Sequence, residues 1–275
     1  MAINLASKYS PIVAERFSKE SVTDILMNTD YDWNGVKTVN VYSVDTVPLT
    51  NYTRSGTNRY GTPDDLPDTT QSLTLTQDKA FTYIVDKGDN QEQMNIKQAA
   101  TTLARQVREV IVPAIDTYRL GVMSAAATAA TQVITDAPTK DNIIELLGKA
   151  NVFLDNGLVP TLGRTMWISS SAANLVTMNT QFQRKGDMAN PVVINGLLGS
   201  ILEATVIKVP DNYLPAGTSA IIGYGNAMTA PVTLSELKAH VDAPGISGVL
   251  CEGRIIHDAF VLDARAKGFA MLQTI

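Results

Sequence analysis

The chain has 275 residues, 45% hydrophobic and 18% charged, with a formal net charge of -5. That length and apolar content provide for a real hydrophobic core and exclude a chain disordered by composition. The acidic balance argues against a general nucleic-acid binder, which carries a basic stripe, but not against a wall that encloses nucleic acid without gripping it, and the single cysteine, Cys251, excludes an internal disulfide.

Met1–Ser10 lacks the basic start and apolar core of a secretory signal. No run reads as apolar for the ~18 residues that a membrane helix needs. A soluble chain made in the cytosol is expected, and the glycosylation triplet Asn51-Tyr52-Thr53 carries no weight in that setting.

Residues 1–35 read as an arm, with Ala14–Phe17 and Val22–Met27 as short helices and Tyr31, Trp33 and Gly35 marking a turn. Such a segment either reaches a neighbouring copy or caps its own core. Residues 36–88 read as a long hairpin. In the first leg, Val36–Leu49, Val39 and Val41 alternate before the phase shifts to Val44, Val47 and Leu49. In the second leg, Leu73, Leu75, Phe81, Tyr83 and Val85 share one parity, the mark of strands with one covered face. The tip, Thr50–Ser72, is rich in Asn, Thr, Gly, Pro and Asp. A lone two-stranded hairpin is marginally stable in water, so so long an arm needs something to lie on, and another copy of the chain is the natural candidate.

Asp89 is the expected cap of a helix running from Asn90 to about Ala130. Leu103, Val107, Val110, Ile111, Ala114 and Tyr118 form its apolar stripe, and Pro113 should kink it. About 40 residues would span ~60 Å, a spine for a flattened subunit; two helices broken near Pro113 or Gly121 are the alternative. A helix capped by Thr139 or Asp141 follows to Asn156, where Gly157 should supply a left-handed end. Thr165–Ser169 reads as a strand and Ala172–Met178 as a helix capped by the preceding serines. Asn179–Asn190 is a polar loop around Arg184, Lys185 and Gly186. Ile201–Val209, Ser219–Gly223, Arg254–Asp263 and Gly268–Leu272 read as strands, with Val232–His240 a helix or a strand. Helices and strands do not alternate strictly, which gives an α+β class.

Catalytic chemistry is thin. Only His240 and His257 are present, and a triad would need one of them. His257 and Asp258 are neighbours on a strand and should face opposite ways, so a structural histidine is the expectation. Gly223-Tyr-Gly225 lacks the third glycine of a dinucleotide loop, and Gly196-Leu-Leu-Gly199 reads as a turn. Asp64, Asp65 and Asp68 admit a weak calcium site or a solvated loop that discourages wrong edge pairing; the second is expected. No catalytic residue, metal or cofactor is assigned.

The order of parts, N-terminal arm, extended hairpin, long helix, then mixed α/β region, resembles the major capsid protein of tailed bacteriophages with the Hong Kong 97 (HK-97) fold. Residues 165–178 (Thr-Met-Trp-Ile-Ser-Ser-Ser-Ala-Ala-Asn-Leu-Val-Thr-Met) resemble the strand-then-helix of its axial domain, residues 196–215 a turn and strand of the same domain, and residues 253–272 its C-terminal return. The resemblance implies an N-terminal arm at 1–35, an extended loop at 36–88, a peripheral domain with spine helix at 89–139, an axial domain at 140–245 and a return to the peripheral domain at 246–275. It implies assembly of copies through hexamers and pentamers into an icosahedral shell around double-stranded DNA, with no membrane. Partners would be a portal, with a separate scaffolding protein or none, and with or without a decoration protein. Contacts between copies would fall at the loop tip, on Asn51, Tyr52, Arg54, Arg59, Tyr60, Asp64 and Asp65. The tip has no lysine, and Lys37, Lys79 and Lys87 stand in its legs, so the lysine–asparagine cross-links of some family members are not expected. Competing readings are an encapsulin-like compartment shell, a small cytosolic enzyme, and a tail-tube or decoration protein.

Overall fold

The computed structural model describes residues 21–24, 27–28, 30–33, 36–63, 65–92, 99–179, 199–241 and 243–274. The expected helix at Ala14–Phe17, part of that at Val22–Met27, Gly35, Asp64, the loop at 180–190 and Gly196–Leu198 lie outside these residues. The elements are β1 (Thr38–Val44), β2 (Asp68–Thr74), β3 (Gln77–Asp86), α1 (Lys87–Glu92), α2 (Ala99–Gln106), a π-helical turn (Val107–Ile111), α3 (Val112–Ala129), β4 (Val133–Ile134), α4 (Ile143–Asn156), β5 (Arg164–Ser169), α5 (Ser170–Met178), β6 (Ser200–Ile201), β7 (Ala204–Val209), β8 (Thr218–Tyr224), β9 (Met228–Thr229), β10 (Val232–Val241), β11 (Gly248–His257), β12 (Phe260–Val261) and β13 (Phe269–Gln273). Helix and sheet are mixed, as expected, and Val232–Val241 is a strand.

The centre is a six-stranded sheet in the order β4-β13-β8-β5-β7-β6. β5 runs parallel to β7 and β13 parallel to β4, and the other pairs are antiparallel. Side chains alternate across a strand, and here both faces are covered. Met166, Ile168, Ala220, Ile222, Ala270 and Leu272 join Ile143, Leu147 and Leu154 of α4 and Val176 of α5 in one core. Trp167, Ile221, Phe269 and Met271 join Leu120, Met123 and Ala127 of α3 in the other. Each such side chain contributes about 1.5–3 kcal/mol on leaving water. The serine cap is present: Ser169 Oγ accepts from the Ala172 amide at 3.1 Å at the start of α5.

β10, β11 and β3 form a second sheet with β11 in the middle. In both sheets a phenylalanine lies across from a glycine, Phe81 opposite Gly253 and Phe269 opposite Gly223. A Cβ on Gly253 would stand 2.2 Å from the Phe81 ring, and one on Gly223 would stand 2.2 Å from the Phe269 ring. The ring occupies the space that the glycine leaves, which restores packing to a residue with no side chain.

The arm is shorter than its hydrophobic pattern suggests. β1 pairs antiparallel with β2, Thr38 opposite Thr74 and Val44 opposite Asp68. The chain then leaves the arm at Leu75–Thr76, and β3 pairs with β11, Gln77 opposite His257 and Asp86 opposite Gly248. The parity of the covered residues continues unbroken through the junction, so alternation could not reveal the change of partner. Lys79 and Lys87 therefore belong to the body, and Lys37 alone adjoins the arm.

α2, the π turn and α3 make one helical run, Ala99–Ala129, of roughly 45 Å. In place of a break at Pro113, the helix widens just before it. The Val112 amide donates to the Val107 carbonyl, five residues back, so the turn that the proline ring would crowd is already expanded. Of the expected stripe, Val110 is exposed. The deeply buried face lies further on, at Asp116, Arg119, Leu120, Met123, Ser124 and Ala127. By length and composition alone Thr101–Ala129 would suffice to cross a membrane, contrary to the reading of the sequence. It carries two buried charges, Asp116 and Arg119, and packs Leu120, Met123 and Ala127 against the sheet.

Several helix ends differ from expectation. Asp86, not Asp89, caps α1, accepting from the amides of Gly88 and Asp89 at 2.8 and 3.2 Å. At α4 the capping position is Asn142, which exchanges hydrogen bonds with Thr139. Gly157 at the far end is right-handed, and the left-handed residue is Leu158 at φ 55°. The Val159 amide reaches back to Leu154 and the Leu158 amide to Asp155, a Schellman closure. α3 closes the same way on Thr131, at φ 58°.

Candidate assembly interface

The predicted contact residues lie on a projecting, solvated tip between β1 and β2. The Asp45 amide donates to the Pro67 carbonyl at 3.1 Å, closing the tip off from the strands. Inside it, Tyr52 and Tyr60 meet edge to face at 5.0 Å between ring centroids. The Thr53 amide donates to the Arg59 carbonyl at 3.0 Å, and the Thr50 hydroxyl to the Tyr60 carbonyl at 2.9 Å. Tyr52, Arg59 and Tyr60 are thus brought together, while Asn51, Arg54 and Asp65 are exposed around them. Asp64 lies outside the described residues. Val47, Leu49 and Leu66 are exposed beside these residues, Leu49 completely.

The arm is fastened at its base. Trp33, Leu73, Leu75 and Leu262 form a small buried cluster backed by Val39, Val41 and Phe260, with the Trp33 and Phe260 rings stacked at 5.6 Å. Gln71 reaches from β2 to the body: its Nε2 donates to the Val261 carbonyl and its Oε1 accepts from the Asp263 amide, both at 3.0 Å. Asp258, buried at the end of β11, accepts from the Thr76 amide and hydroxyl at 2.7 and 2.9 Å and from Tyr118 Oη on α3 at 2.7 Å. Burial, then the neighbouring Asp258 carboxylate, pushes the Tyr118 phenol above its ordinary range. His257 packs edge-on against the Tyr118 ring at 5.5 Å. Burial, reinforced by Arg119, lowers its pKa below the usual histidine value.

A second fastening joins the N-terminal segment to the long helix. Asp116 on α3 accepts from the Ser21 and Thr23 hydroxyls at 2.8 and 2.6 Å and from the Val22 amide at 3.0 Å. Arg119, one turn on, donates to the Thr23 hydroxyl at 3.0 Å and pairs with Asp24. Trp167 Nε1 donates to the Val22 carbonyl at 3.0 Å. Sequence reading missed Asp116 and Arg119. Their signal was available, since two charges interrupt the apolar face that continues into Leu120 and Met123.

The outer face of the β10-β11-β3 sheet carries charges of alternating sign. Arg254 grips Asp78 with two hydrogen bonds, at 3.0 and 2.6 Å, which holds the Asp78 carboxyl below its ordinary pKa. Lys238 pairs with Glu236 at 2.8 Å, and His240 lies 3.5 Å from Glu252. Among the described residues no cluster of His, Cys, Asp or Glu is arranged to hold a metal ion.

The fold is that of solved phage capsid chains. A chain from Mycobacterium phage Che8 superposes with a TM-score of 0.81 at 17% identity, over 98% of this chain and 97% of that one. A chain from the capsid structure of the cyanophage P-SCSP1u gives 0.78 at 12% identity, over 99% and 93%. One from the mature capsid of bacteriophage PhiM1 gives 0.73 at 9% identity, over 98% and 91%. No family model matches this chain, and no curated protein does.

Proposed function

We propose that this chain is the structural major capsid protein of a tailed bacteriophage. It would self-assemble through hexamers and pentamers into an icosahedral shell around double-stranded DNA, with no catalytic role. The observation that carries this reading is the near-complete overlap of its fold with phage capsid chains. The projecting arm supports it, because its exposed apolar residues have no use in a lone subunit. Many modest contacts of that kind, repeated by symmetry and closed into a shell, add up to a stable particle.

In this reading the extended loop of residues 36–88 acts through the arm β1–β2, and residues 89–139 supply the spine in the run Ala99–Ala129. The sheet β10-β11-β3 would form much of the peripheral domain. The six-stranded sheet with α4 and α5 would form the axial domain of residues 140–245, with β13 of the returning segment 246–275 inserted into it. Residues 1–35 would be the N-terminal arm, anchored where Ser21–Asp24 meet α3. Partners would be further copies of the chain and a portal, with a separate scaffolding protein or none, and with or without a decoration protein. The protein would assemble in the host cytoplasm and reside in the virion.

Negative-stain electron microscopy of the purified protein, beside its mass by light scattering, tests the reading. Closed shells, rings of five or six, or sheets are expected. A compact monomer that stays unassembled with its neighbouring virion genes co-expressed would overturn it. A deletion of residues 46–66, which spares both arm strands, should leave a folded subunit that assembles poorly. A deletion carried as far as Gln71 would cut into β2.

A further inference from the structure

Three parts of the molecule converge on one buried carboxylate. Asp258 is 2% exposed. Its Oδ2 accepts from both the amide and the hydroxyl of Thr76. Its Oδ1 accepts from Tyr118 on the long helix and from the Ala259 amide at 2.8 Å. Thr76 lies between β2 and β3, at the point where the arm departs from the body. Gln71 grips from the arm side, its amide donating to and accepting from the backbone of residues 261 and 263 as a neighbouring strand would. Between these grips lies the apolar cluster of Trp33, Leu73, Leu75 and Leu262.

The two kinds of contact do different work. Apolar side chains tolerate some sliding and repacking. A buried carboxylate with four donors does not, because each hydrogen bond loses strength steeply with angle and distance. We propose that Asp258 and Gln71 are positioning residues that set the angle at which the arm leaves the subunit, and with it the curvature at which copies meet. This inference rests on the capsid reading above.

The leverage is large. Seven-residue strands reach about 23 Å, so a rotation of about 10° at the base carries the far end of β1 through roughly 4 Å, beyond the reach of any hydrogen bond. Through Tyr118 the same carboxylate is tied to α3, so the arm and the long helix take their relative placement from one group.

The test uses the full chain with Gln71→Ala, Thr76→Val and Asp258→Asn, and Leu262→Val as a control that loosens the apolar cluster without touching either grip. In Asp258→Asn, a side-chain NH2 in place of Oδ2 would face the Thr76 amide donor. Hydrogen exchange at Leu73–Gln77 should quicken about tenfold in each polar variant, as expected for one lost hydrogen bond. Shells, imaged by cryo-electron microscopy, should show a broadened diameter distribution or open sheets, while the control gives shells of normal diameter. Polar variants that give shells of unchanged, uniform diameter would overturn the proposal, as would a control that broadens them equally. If Asp258→Asn fails to fold, the two milder variants decide. If the unaltered chain forms no shells with its neighbouring genes present, the capsid reading has failed by itself, and unchanged exchange at the arm base would then overturn the grip independently.

Discussion

Asp116 and Arg119, one turn apart on α3, share a single hydroxyl. Thr23 donates to the carboxylate at 2.6 Å and accepts from the guanidinium at 3.0 Å. All three side chains are buried. The hydroxyl is therefore a polar bridge between two charges held away from water, supplied from outside the helix.

Replacing Thr23 with valine keeps the shape and removes the bridge. The change should cost about 1–3 kcal/mol, the penalty for leaving buried polar groups without a partner. Asp116→Ala should cost more, because it leaves the Ser21 and Thr23 hydroxyls and the Val22 amide without their shared acceptor. Urea unfolding of the two variants measures both.

The cross-strand pairs of glycine and phenylalanine should resist a methyl group. Gly253→Ala would force its Cβ against Phe81 and against Leu237 Cδ2 at 2.9 Å, at a cost of about 1–3 kcal/mol for overpacking. Adding Phe81→Leu should recover part of that loss. A double-mutant cycle on unfolding free energies reads the coupling directly.

Leu158 is strained where glycine would be at ease. It is left-handed and 91% exposed, so its side chain contributes little packing. Leu158→Gly should raise stability by roughly 0.5–1 kcal/mol, the left-handed penalty less the extra entropy of glycine. A modest rise in Tm, with unchanged assembly, is the expected result.

His257 gives a pH dependence of definite sign. Its pKa is lowered in the folded chain, chiefly by burial. Between the folded value and the ordinary 6.5 the unfolded chain binds the proton more readily. Its contribution is complete above pH 6.5 and is lost as pH falls through the folded value. The denaturation midpoint should decline from pH 7 to pH 5, and His257→Gln should flatten that slope.

Particular residues show what was legible in the sequence. The strand Arg164–Ser169 and the helix Ser170–Met178 were readable because a dense apolar run meets serines that can cap. The long helix was readable from its length and periodicity. The expansion before Pro113 was not, because a proline says that a bond is missing but not how the helix adjusts. The end of the arm at Leu75–Thr76 was hidden for a related reason: Leu73 and Phe81 share a parity and yet face different neighbours. The edge-to-face meeting of Tyr52 and Tyr60 was not legible, because it depends on how the tip folds back on itself. Nor were Gln71 and Asp258, since one amide in a polar strand and one aspartate after a histidine carry no signal until residues far apart in sequence are brought together.

The strand Phe269–Gln273 lies between β4 and β8 and is packed on both faces. Synthesis therefore delivers one of the middle strands of the sheet last among its members. A chain interrupted before Phe269 leaves β4 and β8 without their shared neighbour and both apolar layers open to water. A copy that stops short of Phe269 therefore cannot take the shape of one that includes it, because the strand that joins the two apolar layers is missing.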